Sequence, residues 1–235
     1  MTEQPRIKVI VITLPEYPDR FAAMAPLLEQ LRAAGLPVEI HYGANGKDIR
    51  VTDTVAPHLK HLWYRGTLLH YNSRARLNDQ PMSAGEFGCA WSHYDVYQRL
   101  LTDDDADAYL VLEDDAELAC RLETVLEALR HLPPTYDVIR TTASRWYPFA
   151  KVQDYNAYYY TFQKRFTNYT TSYLVSKQGA RKLLAYMAEH LNVPSDDLLS
   201  NFYIQMPDAL YYASEPAWFV DPRTQPSSIA AVSRD

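Results

Sequence analysis

Residues 7–14 (Ile-Lys-Val-Ile-Val-Ile-Thr-Leu) form a β-branched apolar run closed by Pro15, which predicts a buried strand. Phe21, Met24, Leu27, Leu28 and Leu31 then recur at helical spacing as far as Gly35, with Asp19 placed to cap the helix. A second short strand is predicted over residues 37–42. Strand, helix and strand in such quick succession open an α/β sheet, whose natural connection is a parallel pair joined by a right-handed crossover.

The rest of the chain extends the same pattern. Residues 43–82 carry few periodic apolar positions and are predicted as loops and short helices. A helix is predicted from Ser83 through Leu101, opened by a Ser83–Glu86 capping box. The acidic run Asp103–Asp107 ends it and reads as a solvated turn. Tyr109-Leu110-Val111-Leu112 is a buried strand that runs into Glu113-Asp114-Asp115. A helix near 121–131 ends at Pro133-Pro134, and Asp137-Val138-Ile139 is a short strand. The tyrosine-rich stretch 155–175 reads as a β-hairpin or bent pair. A helix over 177–190 opens at Ser176, and another starts near Pro194 with Ser195 or Asp196 as its cap. Short strands at Leu210–Tyr212 and Trp218–Val220 close the pattern, and no linker or repeat divides residues 1–235, so a single domain is expected.

Composition removes several function classes. A net charge of −6 opposes broad nucleic-acid binding. Only seven glycines occur, against about 16 at the usual ~7% frequency, which disfavours glycine-rich phosphate cradles. No apolar run approaches the roughly 20 residues a transmembrane helix needs. The first residues lack a basic-then-apolar leader, and two cysteines, Cys89 and Cys120, make no disulfide framework. The expectation is a chain of the reducing cytoplasm.

Glu113-Asp114-Asp115 is the sharpest chemical feature. Three adjacent carboxylates at the carboxyl end of a buried strand repel one another and lose hydration, a cost that a divalent cation relieves. In extended backbone Glu113 and Asp115 project to one side and Asp114 to the other. An all-oxygen pair of this kind suits Mg²⁺ or Mn²⁺ held with substrate phosphates. The plain structural alternative is a solvated acidic turn. Cys89 and His93, four apart on one helix, read as a packed thiol and a structural donor rather than a thiolate pair. No Walker loop, Gly-x-Ser-x-Gly elbow, His-Glu-x-x-His or Cys-x-x-Cys is present.

Gly85-Glu86-Phe87-Gly88-Cys89-Ala90-Trp91-Ser92-His93 resembles the nine-residue signature of glycosyltransferase family 25. Further pieces of that family's pattern follow in the same order: Ile12-Thr13-Leu14 with Asp19-Arg20, Ala44-Asn45-Gly46, and Val111-Leu112-Glu113-Asp114-Asp115. Thr171-Ser172-Tyr173 with Ser176 to Leu184, Pro194-Ser195-Asp196, and Ser227-Ser228-Ile229 complete the series. Thr13 and Asn45 depart from the family, which commonly has asparagine and aspartate there.

The resemblance implies a GT-A-like α/β fold with a mostly parallel central sheet flanked by helices. It implies a UDP-sugar donor, most often UDP-galactose, and inversion at the anomeric carbon. The acceptor it implies is a glycan, lipid-linked in the bacterial lipooligosaccharide branch, with the enzyme at most peripheral to the membrane. Under it Asp115 is the direct metal ligand, with Glu113 on the ribose or a metal-bound water and Asp221 a further candidate ligand. Asp114, Arg20, Glu86 and His93 are candidate donor-site residues. Asp196 or Asp197 is the general base, at a helix start whose dipole is expected to lower its pKa. A catalytically silent sugar- or nucleotide-binding protein on the same scaffold is the alternative.

Overall fold

A computed structural model of the chain describes residues 4–46, 84–142, 149–164, 169–190 and 194–221. Residues 47–82 of the predicted loop region, Ser83 of the expected capping box and the terminal Ser227-Ser228-Ile229 lie outside them. The chain opens with β1 (Ile7–Thr13), α1 (Pro18–Ala23), α2 (Ala25–Ala33) and β2 (Val38–Tyr42), and β2 pairs parallel to β1. The expected single helix is split at Met24. Pro26 lacks the N–H needed to continue the ladder and sits in the first turn of α2 instead. Asp19 lies inside the first turn of α1, because Pro18 starts that helix and Tyr17 is its N-cap.

The long α3 (Ala84–Thr102) leads to β3 (Ala108–Glu113), which pairs parallel to β1 on the side away from β2. Next come β4 (Glu117–Leu118), α4 (Leu122–Leu129) and β5 (Val138–Arg140). The hairpin lies earlier than predicted, joining β6 (Lys151–Asp154) to β7 (Tyr159–Phe162). Its turn is set by Asn156, whose Oδ1 accepts the N–H groups of Tyr158 and Tyr159 at 2.8 and 3.0 Å. β8 (Ser172–Ser176) leaves the hairpin altogether. Buried over its first four residues, it belongs at the sheet centre, between β3 and β5 and antiparallel to both. α5 (Lys177–His190), α6 (Ser195–Gln205), β9 (Tyr211–Ser214) and β10 (Phe219–Val220) follow.

The sheet order is β2-β1-β3-β8-β5-β9-β7-β6, and only β8 and β7 run against the other strands. Alternate strand residues face two separate cores. Ile10, Tyr109, Val111 and Val175 pack with α3, α5 and α6, whereas Val9, Val11, Leu110 and Leu112 pack with α2 and α4. This is the α/β layering the sequence predicts, a mostly parallel sheet flanked by helices as the family resemblance implied. No helix among the described residues is long and apolar enough to cross a membrane.

The carboxyl ends of β1, β2, β3 and β5 and the start of β8 share one edge of the sheet. The opposite edge is tied by the acidic run, which is no mere solvated turn. Asp103 accepts from Lys8 Nζ at 2.8 Å and from the Tyr109 hydroxyl at 2.6 Å, while Asp107 pairs with Arg6 at 2.8 Å. Another carboxylate, Asp137, is fully buried beneath α5. Lys182 and Gln178 donate to it, as does the backbone N–H of Leu210. Gly179 makes that approach possible, since a Cβ there would stand 2.0 Å from the Asp137 carbonyl oxygen. The Ser-x-x-Gly-Ala-x-Lys motif is therefore a packing device.

Burial alone would raise the Asp103 pKa, but the hydrogen bonds from Lys8 and Tyr109 outweigh it and hold the carboxyl at about 2. Its contribution is thus full above the unfolded carboxylate value near ~4 and is lost as the pH falls through about 2. Asp103→Asn is expected to cost about 1–2 kcal/mol at pH 7, allowing for solvent screening. The gap to wild type should close between pH 4 and 2 in thermal melts, and a pH-independent gap would refute this account.

Candidate active site

Leaving β3, the three carboxylates go three ways. Asp114 turns inward, toward the first helix. Its Oδ1 accepts from Arg20 Nε at 2.8 Å and Nη2 at 2.6 Å, and its Oδ2 from the Thr13 hydroxyl at 2.8 Å. Both oxygens are thereby committed, so Asp114 fixes Arg20. Thr13, 3% exposed, supplies the donor at the position where the family has asparagine. Arg20 also reaches Asp115 Oδ2 at 2.8 Å, so one buried guanidinium serves two carboxylates.

Asp115 is left incompletely satisfied. Its Oδ1 is buried and has no hydrogen-bond partner among the described residues. Burial, then the charge of Glu113, push its pKa up to about 7 against the opposing pull of Arg20. Asp221 adds to the repulsion. The small antiparallel pair β4–β10 brings it there, with Val220 opposite Glu117. Crowded oxygens and a lone buried lone-pair site are what a hard divalent cation relieves.

Glu113 faces the α3 side. Its Oε1 accepts from the Thr170 hydroxyl at 2.5 Å and from His93 Nε2 at 3.2 Å. Burial would raise its pKa, but His93, Thr170 and the charge of Arg20 hold it below the usual range. His93 is 1% exposed, with Nδ1 at 2.7 Å from the Tyr173 hydroxyl, itself 3.0 Å from that of Tyr97. Cys89 lies one turn before His93 with Sγ 3.2 Å from Ser195 Oγ. Burial and the charge of Glu113 push its thiol well above the ordinary value, so it is no thiolate nucleophile.

The signature also holds a loop. Ser92 Oγ donates to the Gly88 carbonyl at 2.7 Å and accepts from the Ala44 N–H at 2.9 Å. A Cβ on Gly88 would stand 2.4 Å from the Ala44 carbonyl oxygen. Ala44-Asn45-Gly46 is thus pressed against α3, and the cleft between this loop, β1 and the acidic end of β3 has about 620 Å³ of open space. Arg20, His93, Glu113, Asp114 and Asp115 all line it, with Gly85 and Cys89. Glu86, half-buried on the same helix, is not among the lining residues.

Asp196 and Asp197 occupy the first turn of α6, as predicted, but Pro194 is its N-cap and neither Ser195 nor Asp196 takes that position. The Ser195 hydroxyl instead meets Cys89 and, at 3.1 Å, Thr170. Asp197 is 3% exposed, whereas Asp196 is half-buried and next to the Ser195–Thr170 contact. The expected lowering of the Asp196 pKa by the helix start does not prevail. Burial and the charge of Glu113 raise it, although the Asp197 and Tyr169 N–H groups and Arg140 pull the other way.

Arg140 and Tyr169 were not marked by the sequence. Arg140, 1% exposed at the end of β5, donates to the Tyr169 carbonyl, and Tyr169 has φ +84°. A non-glycine residue in that region is strained and is kept there by its surroundings. Thr170 was missed too, because a lone threonine before a strand has no distinguishing pattern.

Residues 6–199 match the family described as glycosyltransferase family 25 (LPS biosynthesis protein). The chain belongs to glycosyltransferase family 25. It is 24% identical over 208 residues to procollagen galactosyltransferase 1-B of Xenopus laevis, an alignment covering 87% of this chain and 32% of that protein. It is 25% identical over 213 residues to a probable inactive glycosyltransferase 25 family member 3 of Bos taurus, covering 88% and 33%. This family 25 chain therefore spans about a third of the length of those relatives. Among solved structures, a glycosyltransferase involved in glycosylation of the PBCV-1 major capsid aligns at TM-score 0.47 and 11% identity, covering 97% of each chain. A Drosophila beta-1,4-galactosyltransferase 7 variant, solved with manganese, UDP-Gal and xylobiose, aligns at TM-score 0.47 and 8% identity, covering 98% and 80%.

Arg20→Met leaves Asp114 buried without its counter-charge and is expected to cost about 3–5 kcal/mol. Mn²⁺ should recover more thermal stability in this variant than in wild type, because the cation replaces part of the lost charge. Equal Mn²⁺ gains in both would show that the cation is not bound near these carboxylates.

Proposed function

We propose that this chain is an inverting glycosyltransferase that moves a hexose, galactose, from a UDP-sugar to a hydroxyl of a bacterial surface glycan such as lipooligosaccharide. The observation that supports the reading is the nearness of two carboxylate sets, one lining the cleft and the other on the helix behind it. Glu113 and Asp115 stand at the end of β3, and Asp196 stands on α6, close enough to Glu113 to feel its charge. The family's description and the galactosyltransferase name of one relative support the sugar and the glycan class. The protein is then cytoplasmic, touching the membrane peripherally where the acceptor is lipid-linked.

The oxygen donors fit Mn²⁺ or Mg²⁺. Asp115 would hold the ion through the oxygen that lacks a partner, with Asp221 and Glu113 beside it. Bound with the donor's phosphates, it supplies charge neutralisation for the departing nucleoside diphosphate. The chain's own residues do the rest. Arg20 stays clamped by Asp114 and keeps the acidic turn in one conformation. Glu113, ionised and oriented by Thr170 and His93, accepts a hydroxyl of the donor. Asp196 takes the proton of the acceptor hydroxyl, and its raised pKa makes it a stronger base than a solvated carboxylate. Asp197, more deeply buried, supports that turn.

A second reading, a nucleotide-sugar binder without turnover, is favoured by the relative described as probably inactive. UDP release from a panel of nucleotide sugars, with Mn²⁺ and then with EDTA, separates the two. Donor-specific release should vanish with EDTA and fall at least about 10²-fold in Asp115→Asn and Asp196→Asn. UDP–Mn²⁺ binding without release from any donor and acceptor pair would support the binder. Metal-independent release that survives Asp115→Asn would remove the assigned metal site.

A further inference from the structure

Cys89, His93 and Glu113 each offer one ligand atom, and the three atoms lie within 4.8 Å of one another. All three residues line the cleft, so the space between them is reachable from it. Their chemistry differs from that of the Asp115 set. A thiol, an imidazole and a carboxylate form a mixed sulfur, nitrogen and oxygen set, which suits a borderline-soft ion with tetrahedral preference and not Mg²⁺.

We propose that Cys89, His93 and Glu113 form a zinc site, separate in chemistry from the all-oxygen set around Asp115, and that zinc there inhibits the enzyme. The binding half stands by itself, and the inhibitory half rests on the transferase reading above. The first support is geometric. Glu113 Oε1 already lies 3.2 Å from His93 Nε2, close to the separation of two ligands on one tetrahedral ion, and Cys89 is one helical turn away on the same face of α3. The second is orientation. His93 is held from behind by Tyr173 at Nδ1, the outer contact that metal-ligating histidines use to aim the other nitrogen. The third is the local field. Glu113, Asp196 and Asp115 together disfavour a thiolate at Cys89, and the same negative field favours a divalent cation there.

Binding breaks the Cys89 S–H bond and forms a sulfur–zinc bond, releasing one proton to solvent per ion. The His93 proton passes from Nε2 to Nδ1, where it is donated to Tyr173, and the freed Nε2 coordinates the ion. Glu113 exchanges its His93 hydrogen bond for the ion and is withdrawn from the donor. Zinc in this place therefore competes with the donor arrangement and does not substitute for the ion at Asp115.

The test uses the full chain with no nucleotide and Co²⁺ alone as a spectroscopic probe. Wild type should show a near-ultraviolet thiolate-to-cobalt charge-transfer band with tetrahedral visible absorption, both displaced by Zn²⁺. The band should persist in Asp115→Asn and Cys120→Ser and disappear in Cys89→Ser. His93→Gln should weaken Zn²⁺ at least about tenfold in chelator competition, which also decides the matter if Cys89→Ser does not fold. No thiolate band in wild type, or a band that depends on Cys120, overturns the site. Zn²⁺ should inhibit UDP release, with at least about tenfold less sensitivity in Cys89→Ser, and equal sensitivity overturns the inhibitory half. If wild type releases no UDP from any donor, the transferase reading fails while the cobalt spectrum still decides the site.

Discussion

Three consecutive carboxylates emerge from a strand that is buried along almost its whole length, and Arg20 makes that arrangement tenable. Its guanidinium spans Asp114 and Asp115 from the first helix after β1. Asp114 absorbs most of this help and, with Thr13 on its other oxygen, forms a closed polar unit. Asp115 accepts from Arg20 at Oδ2 and keeps a buried Oδ1 with no partner among the described residues. The division is asymmetric in a useful way. One carboxylate is satisfied so that the turn has a single shape, and its neighbour keeps the oxygen proposed to hold a cation. The βαβ opening matters for this reason, since the parallel β1–β3 pair brings the segment after β1 beside the end of β3.

The family signature performs two tasks that its residue types separate. Gly88 and Ser92 carry no chemistry and instead press the loop after β2 against α3, which builds one wall of the cleft. His93 and Cys89 point toward Glu113 and Ser195, on the other side of the same helix end. A long helix can serve both because its residues one turn apart share a face, whereas those between them look elsewhere.

Much of this was legible in the sequence, where the physical signal is local. The strand at residues 7–14, the buried run before Glu113, and the helices over 84–102 and 177–190 follow from apolar periodicity. The grouping of Arg20, His93, Glu113 and Asp115 came from the family resemblance, and the βαβ order explains why they share one sheet edge. The failures share a cause. The break at Met24 depends on Pro26 acting inside an otherwise continuous helical pattern. β8 was joined to the hairpin because tyrosine-rich strands look alike, and only three-dimensional burial assigns one to the sheet centre. Asp103 looked like solvated charge because its partners, Lys8 and Tyr109, lie on two different strands. Arg140 was invisible for the same reason, being a single cation whose anion and carbonyl come from distant segments. The Asp196 pKa went astray because a helix end can be read from sequence, while desolvation and a facing carboxylate cannot.

The segment that begins β8 links Glu113 to Asp196. Tyr169 gives its carbonyl to Arg140 and its N–H to Asp196. Thr170 gives its hydroxyl to Glu113 and touches Ser195, and the Thr171 carbonyl accepts the Glu113 N–H at 2.9 Å. Three successive residues therefore contact the proposed donor-site carboxylate, the proposed base and the cation behind it. An extended backbone alternates its side chains, so it could not ordinarily direct neighbouring groups to such different partners. The positive φ at Tyr169 turns the chain at the point where that alternation must be broken. The strain has a physical role: it lets one short segment set the spacing between the two carboxylates proposed to act on the two substrates.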